Sequence, residues 1–291
     1  MQSTPGQAPP PALSVILPAR DEGGLIGRCL DAVLASEWAD GNPATGLEIV
    51  VAANGCSDDT VAVARSRRDA AEARGWRLTV LDLDRGGKLA ALNAAEAEAD
   101  GHVLVYLDAD VVVSPPLLGQ LYGALARDRP GYASGRIRLA PAQSRVTRAY
   151  RRIYRQVPFM THGVPGCGIF AVNRQGRARW GDWPDIISDD TFARLHFAPS
   201  ERIGVPARYT WPLVEGFGNL LRVRRRQDAG VEEIARRFPE LLQNDDKPRP
   251  TRRRLTRMAL SDPAGFAVYC AVAVGVRLTP KTGNNGWSRG R

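Results

Sequence analysis

The sequence predicts an α/β protein built on a doubly wound, mostly parallel nucleotide-binding sheet flanked by helices. Three observations carry this. Four apolar runs of strand length alternate with three segments of helical periodicity. Each run ends in polar residues, which gathers binding groups on one edge of the sheet, where open α/β sheets take their ligands. The fourth run, His102 to Leu107, stops at Asp108-Ala109-Asp110. Two hard oxygen ligands there suit Mg²⁺ or Mn²⁺ carrying a diphosphate.

The elements follow in order. Leu13-Ser14-Val15-Ile16-Leu17-Pro18 reads as a buried strand, and Leu25, Ile26, Cys29, Leu30, Val33 and Leu34 recur at helical spacing after it. Residues 47–52 form the second strand, ending in Asn54-Gly55-Cys56-Ser57-Asp58-Asp59-Thr60. Ser57 is a candidate N-cap there, and Asp58 and Asp59 read as carboxylates of the first helical turn, in a helix reaching about residue 74. Residues 78–83 make the third strand; Arg85-Gly86-Gly87-Lys88 and an alanine-rich helix lead into the fourth. Right-handed crossovers between parallel strands are the expectation. The first strand is not followed by Gly-x-Gly-x-x-Gly, and Gly86-Gly87-Lys88 is too short for a Walker loop, which disfavours dinucleotide oxidoreductases and P-loop enzymes.

With 291 residues, 24% charged and 44% apolar, the chain can bury a full core without staples. Its four cysteines are widely spaced, so neither a zinc site nor a disulfide framework is expected, and a reducing cytoplasm is the expected compartment. Residues 1–12 lack the pattern of a secretory signal and read as a disordered tail. Charge is uneven: residues 1–130 carry 11 Lys+Arg against 18 Asp+Glu, whereas residues 131–291 carry 29 against 13. The second part is expected to face something anionic, or simply to present a solvated basic face.

Four motifs, in order and at strand ends, resemble the family 2 glycosyltransferases of the GT-A fold, over about residues 13 to 227. Val15-Ile16-Leu17-Pro18-Ala19-Arg20-Asp21-Glu22 looks like the opening nucleotide loop, and residues 54–60 are similar to the second one. Gly87-Lys88-Leu89-Ala90-Ala91-Leu92-Asn93 matches a third pattern, and Asp108-Ala109-Asp110 stands at the metal-binding Asp-x-Asp. The resemblance implies an enzyme that moves a sugar from a nucleotide-sugar, a UDP-sugar above all, to an acceptor hydroxyl with inversion. It implies that Pro18, Ala19, Arg20 and Glu22 line the base and ribose pocket and that Asn54 faces the base edge. Lys88 would offset diphosphate charge, its alternative being a solvated lysine at a helix start. Asp110 would ligate the metal and Asp108, with Ala109 between them, would serve the ribose or the ion. The chain departs from the family in carrying Asn54 where Asp is frequent and Cys56 where Ser is frequent.

In the second half, residues 111–127 read as a strand end and a helix, 132–139 as a strand, and 145–155 as a basic helix serving as a lid or subunit contact. Gly163 to Gly168 is a glycine-rich turn entering a strand; Gly166 and Gly168 permit either close backbone approach or a turn that needs positive φ. In Ile186-Ile187-Ser188-Asp189-Asp190-Thr191-Phe192 the paired acids resemble the family's Glu-Asp motif, which implies that Asp190 is the catalytic base beside Asp189. His196 is a candidate metal ligand or a structural helix-face histidine. Residues 201–206 and 209–212 read as two short strands, and 217–227 as a basic helix in which Arg226 could close over the diphosphate. Processive members carry Gln-x-x-Arg-Trp here; this chain keeps the arginine and lacks the Gln and Trp, implying one sugar per encounter.

A break at 244–250 precedes a separate basic and apolar helical tail, 244–291. Arg252, Arg253, Arg254 and Arg257 adjoin an uncharged run, 264–276, too short to span a bilayer. Contact with an anionic membrane surface at its inner face is expected. The 13–243 domain would divide into a nucleotide-binding half, 13–110, and an acceptor half, 111–243, taking a saccharide or lipid-linked acceptor, as in surface polysaccharide or glycolipid synthesis. The sequence leaves the oligomeric state open. The rivals are a sugar nucleotidyltransferase and a catalytically silent membrane-associated nucleotide-sugar-binding protein. Nucleic acid is not an expected partner, since the arginine runs lack interleaved aromatics.

Overall fold

The computed structural model describes residues 12–38, 46–248 and 250–278. The chain forms, in order, β1 (Leu13–Ala19), α1 (Gly23–Leu34), β2 (Leu47–Asn54), α2 (Thr60–Arg65), α3 (Arg68–Glu72), β3 (Arg77–Leu83), α4 (Lys88–Ala97), β4 (Val103–Leu107), β5 (Val112–Val113) and α5 (Leu117–Leu125). There follow β6 (Tyr132–Leu139), α6 (Arg145–Tyr154), α7 (Pro158–Thr161), β7 (Ile169–Asn173), α8 (Arg174–Arg177), α9 (Asp189–Leu195), β8 (Arg202–Trp211), α10 (Phe217–Arg237), α11 (Arg252–Ser261) and α12 (Pro263–Leu278). It divides into two compact units. The first holds the described residues up to Arg136, with Gly168–Trp183 and Ile203–Tyr209; the second holds Ile137–Cys167, Pro184–Arg202 and the described residues from Thr210. The expected disordered tail, 1–12, lies outside the described residues except for Ala12, which is buried and donates its N–H to the Gly46 carbonyl.

The first unit is built on the sheet, in the order β3-β2-β1-β4-β7-β6-β8-β5. Strands β1, β2 and β4 are buried along their whole length, as expected of parallel strands covered on both faces. Parallel pairing sets Leu13 beside Leu47 and Val103, and Asn54 beside Leu83. Beyond β4 the sheet turns antiparallel: Leu107 pairs with Ile169, and Tyr132 with Val172. Strand order reverses at β1, with β2 and β3 to one side and β4 to the other. The loops after β1 and β4 therefore open at a topological switch point, the usual ligand position in such sheets. At the opposite edge, the buried Glu48 carboxylate accepts from the Ser14 hydroxyl (2.5 Å) and from the Asp100 and Gly101 N–H groups, and pairs with Arg77.

Several sequence expectations are revised. The helix expected over 58–74 is two short helices, α2 and α3. Ser57 does not cap α2: Asp59 holds the N-cap position without a side-chain cap bond, and the Asp58 carboxylate accepts the Thr60 N–H at 3.0 Å and the Gly23 N–H at 3.1 Å. Although burial alone would raise it, these bonds and that of the Thr60 hydroxyl hold the Asp58 carboxyl below its usual value. The two short strands expected at 201–212 are one ten-residue strand, β8. Its neighbour β5 is two residues long, so Pro206 sits on a nearly unpaired edge, where a missing N–H costs little.

In the second unit, Tyr150, Ile153 and Tyr154 of α6 share a core with Leu220 of α10, Met258 of α11 and Val272 of α12. Helix α6 is thus a core element with a basic outer face rather than a lid. The tail expected to stand apart belongs to this unit through α11 and α12. Helix α10 runs ten residues past the expected end, because Gly230 lets it pass against Ser188, whose Oγ lies 2.6 Å from where a Cβ would be.

Candidate active site

The first nucleotide loop leaves β1 through Pro18 and Ala19, both buried, and turns at Asp21, a non-glycine residue with φ of 49°. That conformation is costly for an L residue and needs external support. The Asp21 carboxylate supplies it by accepting both the N–H (2.5 Å) and the hydroxyl (2.9 Å) of Ser57 in the second loop. Glu22 N–H donates to the Thr60 hydroxyl at 2.7 Å. The first two loops are therefore stitched into one wall.

Asn54 stitches in the third. Its amide N–H donates to the Ala19 carbonyl at 2.8 Å, and its amide oxygen accepts the Gly87 N–H at 3.0 Å. The residue is 1% exposed. This corrects the expectation that Asn54 faces the base edge: it is buried and spent on protein partners. An Asn suits this task because it offers a donor and an acceptor at once. The loops meet closely. A Cβ on Gly55 (φ 63°) would lie 2.9 Å from the Gly86 nitrogen, and one on Gly86 would lie 2.6 Å from the Arg20 guanidinium. Arg20 thus lies over the glycine pair before α4.

Lys88, the first residue of α4, reaches Asp108 at the end of β4, Nζ to Oδ1 2.9 Å. The sequence alternative of a solvated helix-start lysine is not what the structure holds. The Asp108 N–H is fixed by the Gly168 carbonyl at 2.9 Å, and Ala109 is buried. Asp108 and Asp110 are both partly exposed. Burial, then the charges of Asp110 and Asp108, push the Cys29 thiol up, so both carboxylates concentrate negative field at this corner. Hard oxygen donors in such a field, open to solvent on one side, fit a divalent cation. The cation would be held by Asp110 and Asp108.

Side chains that the sequence motifs leave aside link α4 to β4 and Trp183. Asn93 in α4 accepts from the Trp183 N–H at 2.8 Å, and Glu96, one turn on, accepts from the Tyr106 hydroxyl (2.7 Å), Arg177 (2.6 Å) and the Trp183 indole. Trp183 packs edge-on against Tyr106 and Trp180. The only sequence signal was Asn93, the end of the third motif.

In the second unit, Asp189 is 7% exposed and Asp190 is partly exposed at the start of α9. The Asp190 carboxylate accepts the Thr191 N–H at 2.6 Å. Glu233 of α10 fixes the approach to them by accepting the Ile187 N–H at 2.8 Å. His196 ends the same helix. Its Nδ1 meets the Phe192 carbonyl at 2.9 Å and its ring packs edge-on to Phe192, so a metal could be met only through Nε2. Arg226 is partly buried on α10. Gly166 and Gly168 have φ of 70° and 78°, which makes each a turn position that favours glycine.

A parallel sheet that reverses order at β1 and delivers two carboxylates from β4, continued by antiparallel strands, defines a glycosyltransferase fold of the GT-A type. The chain belongs to glycosyl transferase family 2, whose model matches residues 14–203. It is a glycosyltransferase. Among solved structures it is similar to mannosyltransferase PcManGT from Pyrobaculum calidifontis in complex with GDP-Man and Mn²⁺, with TM-score 0.56 and 22% identity over 93% of this chain and 76% of that one. It is also similar to S. aureus TarS 1-349 in complex with UDP, with TM-score 0.50 and 12% identity over 91% of each chain. At these identities the likeness speaks for the fold. No curated protein matches the chain.

Proposed function

We propose that the protein transfers a sugar from a nucleotide-sugar to an acceptor hydroxyl with inversion, assisted by Mg²⁺ or Mn²⁺. The observation that carries this is the Lys88–Asp108 pair beside Asp110 at the switch point: a cation and two carboxylates where a diphosphate would lie. When bound, the divalent cation supplies positive charge to the departing nucleoside diphosphate. Asp110 would hold it, and Asp108 would serve the ion or the ribose. Lys88, held by Asp108, would offset the negative charge that grows on the departing diphosphate. Pro18, Ala19 and Glu22 form the wall for base and ribose, Arg20 adds positive charge over the glycine pair, and Asn54 keeps all three loops in register. Asp190 takes the proton of the acceptor hydroxyl as it attacks the anomeric carbon from the face opposite the leaving group. Arg226 closes on the diphosphate. His196 is the further candidate for the ion through Nε2.

The two similar structures carry guanosine and uridine nucleotides, so both bases are donors to be tested. A thermal-shift screen of UDP and GDP with and without Mn²⁺ tests the donor site. Unfolding is expected to move up by several degrees with one nucleotide plus Mn²⁺ and little with either alone. The same shift without metal counts against the metal-assisted reading.

A saccharide or lipid-linked acceptor, one sugar per encounter, completes the reading, and the second unit supports contact with an anionic membrane surface. Arg252, Arg253 and Arg257 are exposed on α11 beside Leu260, itself 78% exposed. Helix α12 presents Ala264, Ala267, Ala271, Val274 and Leu278 outward at helical spacing. No helix among the described residues is long and apolar enough to cross a membrane. Co-sedimentation with phosphatidylglycerol vesicles is expected to exceed that with phosphatidylcholine vesicles and to fall in high salt. Equal binding to both would remove this surface.

A further inference from the structure

The family match ends at residue 203, yet the helix that carries Asp190 is fastened to residues well beyond it. Before its start, Glu233 of α10 accepts the Ile187 N–H at 2.8 Å. At its end the fastening centres on Asp246. One oxygen of this carboxylate, Oδ1, accepts from two guanidiniums, Nη1 of Arg194 at 2.8 Å and Nη1 of Arg202 at 2.6 Å. Arg194 lies one turn after Asp190 on α9 and is 2% exposed; Arg202 opens β8 and is 7% exposed. The other oxygen, Oδ2, faces the glycine-rich turn, 3.1 Å from where a Cβ on Gly163 would stand. The carboxylate therefore lies between that turn and two buried cations.

Arg202 does more than pair with Asp246. The last turn of a helix leaves carbonyls with no donor inside the helix. Nε of Arg202 donates to the Arg194 carbonyl at 3.2 Å, and its Nη2 to the Phe197 carbonyl at 2.7 Å. Asn244 donates to the Leu195 carbonyl at 2.9 Å, and its own carbonyl accepts from Arg202. A cation at this end also suits the helix dipole. Asp246 is the point at which these bonds meet. It orients Arg202, which caps the C-terminus of α9, and it holds Arg194, which is part of α9. Bonds between ionised partners are the strong ones. With seven residues, α9 is too short to keep its place by its own backbone bonds, so its position depends on what grips its ends.

We infer that Asp246 is a positioning residue for sugar transfer: by holding Arg194 and Arg202 it fixes α9, and with it the place of the Asp190 carboxylate. The inference rests on Asp190 being the base. A base works only within hydrogen-bond reach of the proton it takes, so a shift of α9 by about 1 Å slows the chemical step without changing donor affinity.

Two measurements on the full chain test this. Hydrogen exchange read by mass spectrometry needs no substrate. In Asp246→Asn an amide oxygen without charge faces two guanidiniums. The amides of residues 189–197 are then expected to exchange about 10-fold faster or more, as for loss of a bond to a charged group, while residues 13–19 and 47–54 keep the parent's protection. Unchanged exchange over 189–197 overturns the inference. Kinetics tie the helix to Asp190. Nucleoside diphosphate release from GDP-mannose and from UDP-N-acetylglucosamine is followed with Mn²⁺ in the parent, Asp246→Asn, Asp190→Asn and the double variant. Asp246→Asn is expected to lower kcat about 10-fold with donor KM within about 2-fold, and to add less than about 2-fold once residue 190 is already substituted. A fall of equal size in both backgrounds marks a merely structural role and overturns the inference. Should Asp246→Asn fail to fold, Asp246→Asn combined with Arg202→Gln removes both charges of the pair, leaves Arg194 with Asp245, and is read in the same way. Failure of the base reading looks different: Asp190→Asn alone would keep the parent's rate.

Discussion

Asp190→Asn is expected to lower sugar transfer by about 10²- to 10⁴-fold, the usual worth of a positioned general base. Nucleotide affinity should stay within about 2-fold of the parent, since this substitution lies outside the loops proposed to bind the donor, and unit stability should hold. The reasons are structural. Asp190 is only partly exposed at the start of α9 and accepts the Thr191 N–H, a bond an asparagine oxygen can also accept. The amide keeps shape and hydrogen bonding and loses only the ability to take a proton. Asp189 cannot replace it easily, being 7% exposed. Single-turnover assay of sugar transfer alongside calorimetric nucleotide binding checks both halves. Full transfer by Asp190→Asn removes the residue from the role.

The second large effect belongs to Asp110→Asn. It removes a charge from the corner where Asp108 and Asp110 together push the Cys29 thiol up. An amide oxygen is a weaker partner for a hard divalent cation than a carboxylate. Outer partners of a metal site are worth about 10- to 100-fold in affinity, so loss of a direct ligand should cost at least about 100-fold in Mn²⁺-dependent nucleotide binding. Asp108 is the less clean probe. Its Oδ1 is held by Lys88 at 2.9 Å, and its substitution would also release that lysine.

The sheet over residues 13–110 was legible because its code is local. Runs such as residues 13–18 and 103–107 are apolar without alternation and become strands buried on both faces. The carboxylates that end β4 needed no tertiary information to be noticed. What was hidden depends on partners far apart in the chain. Asn54 looked like a base-facing amide; only the fold shows Ala19 and Gly87 on either side of it. The bonding of residues 244–246 carried no periodic signal, because it depends on Arg194 and Arg202, more than 40 residues earlier. Strand β8 was split in reading because Pro206 is a poor strand residue, and its tolerance depends on a neighbour only two residues long. The helix expected to stop at 227 continues to Arg237, past Ser188, where Gly230 makes the room.

Donor binding is proposed to centre on one site, the Asp108–Asp110 corner acting with a divalent cation to hold a nucleoside diphosphate. Calorimetric titration of UDP and GDP into the protein with and without Mn²⁺, repeated on Asp110→Asn, tests it most directly. The predicted result is tight binding of one nucleotide by the parent only with Mn²⁺, reduced at least about 100-fold in the variant. Equal affinity with and without metal, or an Asp110→Asn variant that binds as the parent does, would contradict it.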